Sequence, residues 1–336
     1  MNRLAAIGLS LALGALIAVQ AHETAALSEF VGPEAAASYG TATGLVLLLV
    51  ASTVVPSLRV ARQALPSYFR RGQLRWWHWL PGFGGALVVT SQGIGVAAMG
   101  VALYSVLIVA GQLGGGLALD RSPLAVLRRP ITGRRVAAAL IALFAVAVTA
   151  GGWSVLTTLS GVAVIVVVVA GVVAAVQGAL LGQATNVTGS SYGPALMNFI
   201  VAAGVLLPFG IHGWFFVDHA WDHRWASYTS GILGALIVTA LGVVIKVLGV
   251  LLQTMSTVAS QLSGAVVLDV LSPVSGRTVG AMTIAGCGLT ALAVLLASDA
   301  GSRAVSSRSK SGQAPVSSAT IAASTGPGVV MGPGAK

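Results

Sequence analysis

Charged side chains are scarce in this chain, and acidic ones are the scarcest. Of 336 residues, 8 are Asp or Glu and 18 are Lys or Arg, so charged residues make up 8%. A soluble globular chain carries about 25% charged residues. Because 56% of the residues are hydrophobic, most of the chain is predicted to lie in lipid.

The chain also has a single cysteine and lacks the sequence motifs of catalysis. Cys287, the one cysteine, lies in an apolar run, which excludes an internal disulfide and predicts a packing residue. Walker, G-x-S-x-G and H-E-x-x-H motifs are missing, and no soluble stretch is long enough for a nucleotide-binding domain. The histidines of the second half, His212, His219 and His223, have no tight ligand spacing. We therefore expect no enzyme, no metal site and no other cofactor.

What the chain does contain is an internal repeat. The segment 75–120 recurs 149 positions later without a gap, and rare residue types stay in register. The matched residues are Arg75-Trp76 with Arg224-Trp225, Gly85 with Gly234, Gly100-Val101 with Gly249-Val250, Gln112 with Gln261, and Asp120 with Asp269. The first helix recurs as well, because Gly14 and Gln20 reappear as Gly171 and Gln177.

Ten apolar runs, five in each copy, are about long enough to cross ~30 Å of hydrocarbon as helices. They cover 4–21, 38–55, 82–99, 101–119 and 136–152, then about 159–182, 194–211, 230–247, 249–268 and 278–297. The run 4–21 mimics a cleavable signal, but we interpret it as a retained helix because the second copy has its equivalent. The runs that meet at Gly100 predict a tight helical hairpin.

These runs predict an all-α membrane protein with a first five-helix unit at 1–153 and a second at 154–298. The remaining tail, 299–336, is rich in Ser, Gly, Ala and Pro, which predicts disorder. Five is an odd number, so the second unit should enter the bilayer from the opposite side. Loop charges agree, since 56–80 and 120–135 are strongly basic while their counterparts have no basic excess. We therefore expect a ten-span inverted-topology repeat whose tail is cytoplasmic.

Polar side chains inside the spans are the candidates for a site, because inverted repeats place substrate near the midplane where the copies meet. Six are predicted to line a central cavity: Gln112, Gln261, Thr254, Thr257, Asn198 and Ser105. The alternative, that each only hydrogen-bonds a neighbouring helix, stays open. Gln20 and Gln177 lie nearer the ends of their spans, where a boundary role is equally expected. Asp120 and Asp269 are expected to serve helix boundaries or to pair with loop arginines.

At several of these positions the chain resembles the YdcZ-type inner-membrane exporters, a branch of the drug/metabolite transporter (DMT) superfamily. They are Trp76-Trp77, Gly84-Gly85-Ala86, Gly100-Val101, Gly111-Gln112 and Asp120, with Gly234-Ala235, Gly249-Val250, Gln261, Asp269, Gln177 and Asn198-Phe199 in the second copy. The resemblance covers nearly all of 1–298. It implies a carrier of small metabolites or drugs that works by alternating access without ATP hydrolysis. Small multidrug-resistance relatives use a glutamate buried in the first helix, whereas 4–21 contains no acid here.

The expected function is therefore export of a small molecule across a bacterial inner membrane. Its partners would be the lipid bilayer and an unidentified small-molecule substrate, with proton or ion coupling left open and nucleic acid not expected. A second hypothesis keeps the fold but makes the chain a non-transporting scaffold or regulatory partner. A polar cavity flanked by both copies would favour transport, and a dry, tightly packed midplane would favour the scaffold. A lipid-modifying enzyme would need a cluster of acid, base and nucleophile that the sequence does not offer.

Overall fold

The structure is a computed structural model that describes residues 2–119, 133–149, 161–216, 223–272, 280–293 and 296. All regular secondary structure in these ranges is helical. Asp120, the loop 120–132, the segment 273–279 and the tail lie outside the described residues, as does the side chain of Thr254.

Each predicted run falls on one of the helices. They are α1 (Arg3–Val31), α2 (Pro33–Val54), α3 (Pro56–Arg70), α4 (Pro81–Leu119), α5 (Gly133–Thr149), α6 (Gly161–Thr188), α7 (Tyr192–Phe215), α8 (Ser230–Leu271) and α9 (Ala281–Ala293). Short 3₁₀ turns at Trp76–Trp79 and Trp225–Thr229 precede α4 and α8. The Val-rich stretch from Val164 to Val169 is helical, in agreement with the helix predicted for the run 159–182.

Within the described residues, five helices are long and apolar enough to cross a membrane: α1, α2, α4 with its 3₁₀ turn, α6 and α7. Shorter apolar helices accompany them at Val136–Ala145, Trp225–Leu241, Ser256–Leu271 and Ala281–Ala293. Large apolar side chains such as Val162, Ile165 and Phe144 point outward, as expected of a surface in contact with lipid rather than water. The chain is a multi-pass membrane protein.

Helix α4 folds back on itself at Gly100, whose φ of 82° and ψ of 166° break the helix. The hydroxyls of Ser91 and Tyr104, on opposite sides of the break, lie 3.3 Å apart. In one straight helix these two residues would be about 20 Å apart along the axis. Glycine adopts a positive φ without strain. The predicted hairpin of 82–99 and 101–119 is therefore confirmed.

Helix α8 also folds back on itself. A Cβ on Gly234 would lie 2.9 Å from the Nε2 of Gln20, and a Cβ on Gly264 would lie 3.5 Å from the Cβ of Ala18. Gln20 and Ala18 are close neighbours on α1, whereas Gly234 and Gly264 would be about 45 Å apart in a straight helix. The two legs of α8 therefore lie antiparallel beside α1.

The two sequence copies interlock in the structure. Helix α1 packs along α8, α6 packs along α4, and α2 packs against α7. Each of these pairs joins a helix of the first copy to a helix of the second. The apolar faces of each copy are thus covered by the other.

Two segments expected to be loops are helical instead. Helix α1 continues to Val31, and Gly32, with a φ of 83°, is all that separates it from α2. Pro56 starts α3 at its first position rather than only closing α2. The apolar residues Leu58, Ala61 and Leu65 of α3 pack against the cluster around Tyr192. These three residues lie about one turn apart on one face of the helix. The many arginines of the segment obscure this apolar period in the sequence.

Candidate functional site

Helix α1 crosses the second leg of α8 in close contact at Gly14. A Cβ on Gly14 would collide with the backbone carbonyl of Thr257 and lie 3.0 Å from the amide nitrogen of Gln261. Glycine is required for this approach because any other residue would bring its Cβ into the α8 backbone. The crossing brings the side chains of the two helices into hydrogen-bonding range.

A hydrogen-bonded cluster lies one turn before Gly14. The Ser10 hydroxyl donates to the carbonyl oxygen of Gln253 at 3.0 Å and lies 3.0 Å from the Thr257 Oγ1. The Gln253 Nε2 donates to the same Thr257 hydroxyl at 3.0 Å. These three residues, with Gln261 one turn further along α8, are all buried. Hydroxyl and amide groups both donate and accept hydrogen bonds. The cluster therefore suits a polar solute that forms hydrogen bonds and need not be charged.

Helix α6 crosses the second leg of α4 with the same backbone geometry. A Cβ on Gly171 would collide with the carbonyl oxygen of Ile108 and lie 3.1 Å from the amide nitrogen of Gln112. Gly171, Ile108 and Gln112 are the repeat counterparts of Gly14, Thr257 and Gln261. The Gln112 side chain is half-buried. The two glutamines that the repeat paired thus occupy equivalent positions in two separate crossings.

A second polar cluster lies where the first legs of α4 and α8 meet α1, α6 and α7. The Gln177 Nε2 donates to the Oδ1 of Asn198 at 2.9 Å. A Cβ on Gly85 would lie 3.1 Å from the Nδ2 of Asn198, so glycine makes room for this pair. Gln20 faces Gly234 in the equivalent way. Both glutamines lie well inside their helices, because α1 and α6 extend beyond the predicted spans; the boundary role is not what the structure shows.

The carboxylate of Asp269 lies against the break at Gly100. Its Oδ1 accepts the N–H of Val101 at 2.8 Å and its Oδ2 accepts the N–H of Ala102 at 2.7 Å. These are the first N–H groups of the second leg of α4 and have no acceptor within that leg. The Asp269 side chain, with 7% of its surface exposed, lies at the positive end of the leg. It serves a helix boundary, as expected, but the helix belongs to the other copy.

The six predicted site residues are distributed over these places. Thr257 and Gln261 lie at the crossing of α1 and α8, Gln112 lies at the crossing of α4 and α6, and Asn198 pairs with Gln177. Ser105 is fully buried in the second leg of α4, and its hydroxyl has no hydrogen-bond partner among the described residues. Thr254 lies on α8, with its side chain outside the description.

Ser10 is the residue that sequence reasoning missed. Its position in the second copy is occupied by Val167, so a search for matched polar pairs passed over it. A usable signal was present, because Ser10 precedes Gly14 by four residues and therefore shares its helical face.

The family model described as "Putative inner membrane exporter, YdcZ" matches this chain twice, over residues 5–148 and 162–296. One match falls on each copy of the repeat, in agreement with two fused units. No curated protein matches the chain.

Proposed function

Since the chain belongs to the family of YdcZ-type inner-membrane exporters, we propose that it is a secondary transporter that exports small metabolites or drugs by alternating access, without ATP hydrolysis. The observation that carries this proposal is the buried Ser10–Gln253–Thr257 cluster at the crossing of α1 and α8. Polar side chains inside membrane helices are costly and commonly mark a substrate pathway.

The fold of the proposed transporter is a ten-span inverted repeat, with units at 1–153 and 154–298. The hydrogen bonds from Val101 and Ala102 to Asp269 support it. If both units entered the bilayer from one side, Gly100 and Gly249 would mark turns at the same face. Asp269 lies one span beyond Gly249 and would then be at the opposite face from Gly100. Its contact with the Gly100 break favours opposite entry.

The proposed orientation places the basic segments 56–80 and 120–135, and the tail 299–336, on the cytoplasmic side. Reporter tags beside Arg128 and beside Arg277 should then lie in different compartments. Labelling of both tags from one side of intact cells would contradict the inverted repeat.

In the proposed mechanism, α1 with the second leg of α8 forms one body, and α6 with the second leg of α4 forms the other. Backbone contacts at Gly14 and Gly171 are too close for either pair to slide easily. Rocking of the two bodies would expose a central cavity to each side in turn. Substrate would contact the six side chains Gln112, Gln261, Thr254, Thr257, Asn198 and Ser105. Asp269 belongs to the first body and accepts hydrogen bonds from the second. Its contact with α4 would therefore have to change when the two bodies rock.

Reconstitution into liposomes tests the proposal directly. Flux of a metabolite and drug panel would be followed with and without a pH gradient. Gln261→Leu should abolish flux while leaving expression and membrane insertion intact. Ser263→Ala is the matched control, because Ser263 is exposed on the same leg and bonds its own helix at Ala259. Parental flux in Gln261→Leu would contradict the site, and no flux across a broad panel would favour the scaffold hypothesis.

A further inference from the structure

The segment from Pro56 to Leu80 forms a basic surface, here called the basic platform, at one end of the helix bundle. It contains five arginines: Arg59, Arg62, Arg70, Arg71 and Arg75. The sequence has no Asp or Glu between Glu34 and Asp120. Four of the five arginines are exposed, and Arg62 is half-buried. This stretch of the chain therefore carries a net positive charge.

The platform is held firmly to the bundle. Beyond the contacts of α3 with the Tyr192 cluster, the ring of Phe69 stacks on Trp79 with centroids 5.7 Å apart. The Tyr68 hydroxyl donates to the carbonyl oxygen of Thr188 at the end of α6. Leu74 is buried with Ala184 and Met197. A fixed surface can recognise a ligand without ordering a loop first.

A pocket of about 400 Å³ opens between the platform and the last turns of α6. Its lining is Gln73, Arg75, Trp77, His78, Gln183, Asn186 and Val187. The Arg75 guanidinium lies 4.9 Å from the centre of the Trp77 ring, which fixes it beside the pocket. The His78 Nδ1 lies 3.0 Å from the backbone nitrogen and 3.1 Å from the carbonyl oxygen of Arg75, which holds the His78 ring beside the pocket. One cation and several amide groups therefore surround this space, and no carboxylate lines it among the residues that the structure describes.

Apolar side chains are exposed in the pocket lining and in the chain that runs on from it. Trp76 is 71% exposed, and Leu80, Phe83 and Val187 are exposed as well. A soluble anion would gain nothing from these side chains. A lipid offers both parts, since its phosphate can meet the donors and its acyl chains can cover the apolar side chains.

We propose that the pocket between the basic platform and the end of α6 binds the headgroup of an anionic phospholipid. The Arg75 guanidinium and the amides of Gln73, Gln183 and Asn186 contact the phosphate. The arginines of α3 add a general attraction for the negatively charged bilayer surface. This site is separate from the proposed transport pathway, and it does not depend on whether the chain moves a solute.

The repeat supplies an internal control for this proposal. Arg75-Trp76 recurs as Arg224-Trp225, and Trp225 is 80% exposed, much as Trp76 is. The second copy, however, has Asp218 and Asp222 in the sequence just before Arg224 and no arginine-rich segment. The same Arg-Trp pair thus occurs once next to a basic stretch of sequence and once next to an acidic stretch.

The test is lipid-dependent stabilisation of the purified full-length chain in detergent. The thermal unfolding midpoint would be followed during titration with phosphatidylglycerol, phosphatidylcholine of the same chain length, and soluble glycerol phosphate. We expect saturable stabilisation by phosphatidylglycerol alone. Arg75→Gln should weaken its half-saturation about fivefold, and the triple Arg70→Gln, Arg71→Gln, Arg75→Gln change about 100-fold, since each basic side chain near an anionic surface contributes ~1 kcal/mol. Arg224→Gln should leave it unchanged.

Three results would overturn the proposal. They are equal stabilisation by phosphatidylcholine, equal weakening by Arg75→Gln and Arg224→Gln, and glycerol phosphate as effective as the lipid. If Arg75→Gln does not fold, Asn186→Asp keeps the test decisive. Asn186 is exposed at the end of α6, so the change adds a carboxylate to the pocket without disturbing the core. It should weaken phosphatidylglycerol binding at least tenfold, and unchanged binding would contradict the site.

Discussion

The crossing of α1 on α8 and the crossing of α6 on α4 have the same backbone and different side chains. In both, a glycine of the first helix of a copy lies against a carbonyl and the amide of a glutamine four residues later. At the first crossing, Ser10, Gln253 and Thr257 form a buried hydrogen-bonded cluster. Their repeat counterparts at the second are Val167, Tyr104 and Ile108, which belong to the main apolar core.

This difference shows which features duplicated helices must keep and which they can change. A Cβ at either glycine would collide with backbone, so both glycines are required by the geometry. The side chains one turn away have no such constraint. They can be polar, provided that their donors and acceptors are satisfied, or apolar. Of the two crossings, the one of α1 on α8 is the one with a polar cluster among the described residues, and a solute bound between them would meet two unlike walls.

Alanine at the crossing glycines should have the largest effect. Gly14→Ala and Gly171→Ala each push a methyl group into a backbone carbonyl, and we expect each to cost about 3 kcal/mol of unfolding free energy or to prevent folding. Gly8→Ala and Gly178→Ala are the matched controls, because a Cβ there meets nothing within 4 Å. Unfolding in mixed micelles measures all four. A tolerated Gly171→Ala beside a destructive Gly14→Ala would show that the two crossings are not equivalent.

Removal of the Asp269 carboxylate should have the next largest effect, because it joins the two crossings. Asp269→Ala leaves the N–H groups of Val101 and Ala102 without their acceptors, at a cost of about 2 kcal/mol. Asp269→Asn keeps one acceptor oxygen and should cost about half as much. Hydrogen exchange of a peptide that covers 99–105 should accelerate in the order parent, Asn, Ala. Equal exchange in all three would show that the carboxylate does not hold the break.

A smaller effect is expected from loss of the central hydroxyl of the polar cluster. Thr257→Val keeps the shape of the side chain but removes the acceptor of Gln253 and the partner of Ser10, at a cost of about 1 kcal/mol. Ile108→Val, at the counterpart position, removes one methylene group and should cost a similar amount. The two variants should therefore unfold alike but differ in liposome flux, which Thr257→Val alone should reduce. Equal flux would assign the cluster to packing.

The repeat explains why much of this architecture was predictable from the sequence and why some of it was not. Gly100 within an uninterrupted apolar stretch indicated a hairpin, since two spans had to fit without a loop. The glycines and glutamines of the crossings were visible because both copies retain them. Ser10 could not be identified from the repeat because its counterpart is a valine. A repeat identifies the residues that the two copies share, not those in which they differ. Helix α3 was not predicted because its arginines obscure the apolar period of the segment. That period is explained once the helix packs against the cluster around Tyr192.

The smallest expected effect extends the comparison to the second polar cluster. Gln177 donates a hydrogen bond to Asn198, whereas its counterpart Gln20 faces Gly234. A Cβ on Gly234 would also lie 3.6 Å from the ring of Phe199. Hydrogen bonds between membrane helices average about 0.6 kcal/mol, so Gln177→Leu should cost roughly that much. Gln20→Leu should cost less, because a leucine can pack on Phe199 and loses no bond to an asparagine. Unfolding of Gln177→Leu, Asn198→Leu and the variant with both changes gives the coupling energy of the amide pair, and unfolding of Gln20→Leu gives the comparison. Additive single effects would show that the amide pair contributes nothing, and the asymmetry between the copies would then be confined to the crossing of α1 on α8.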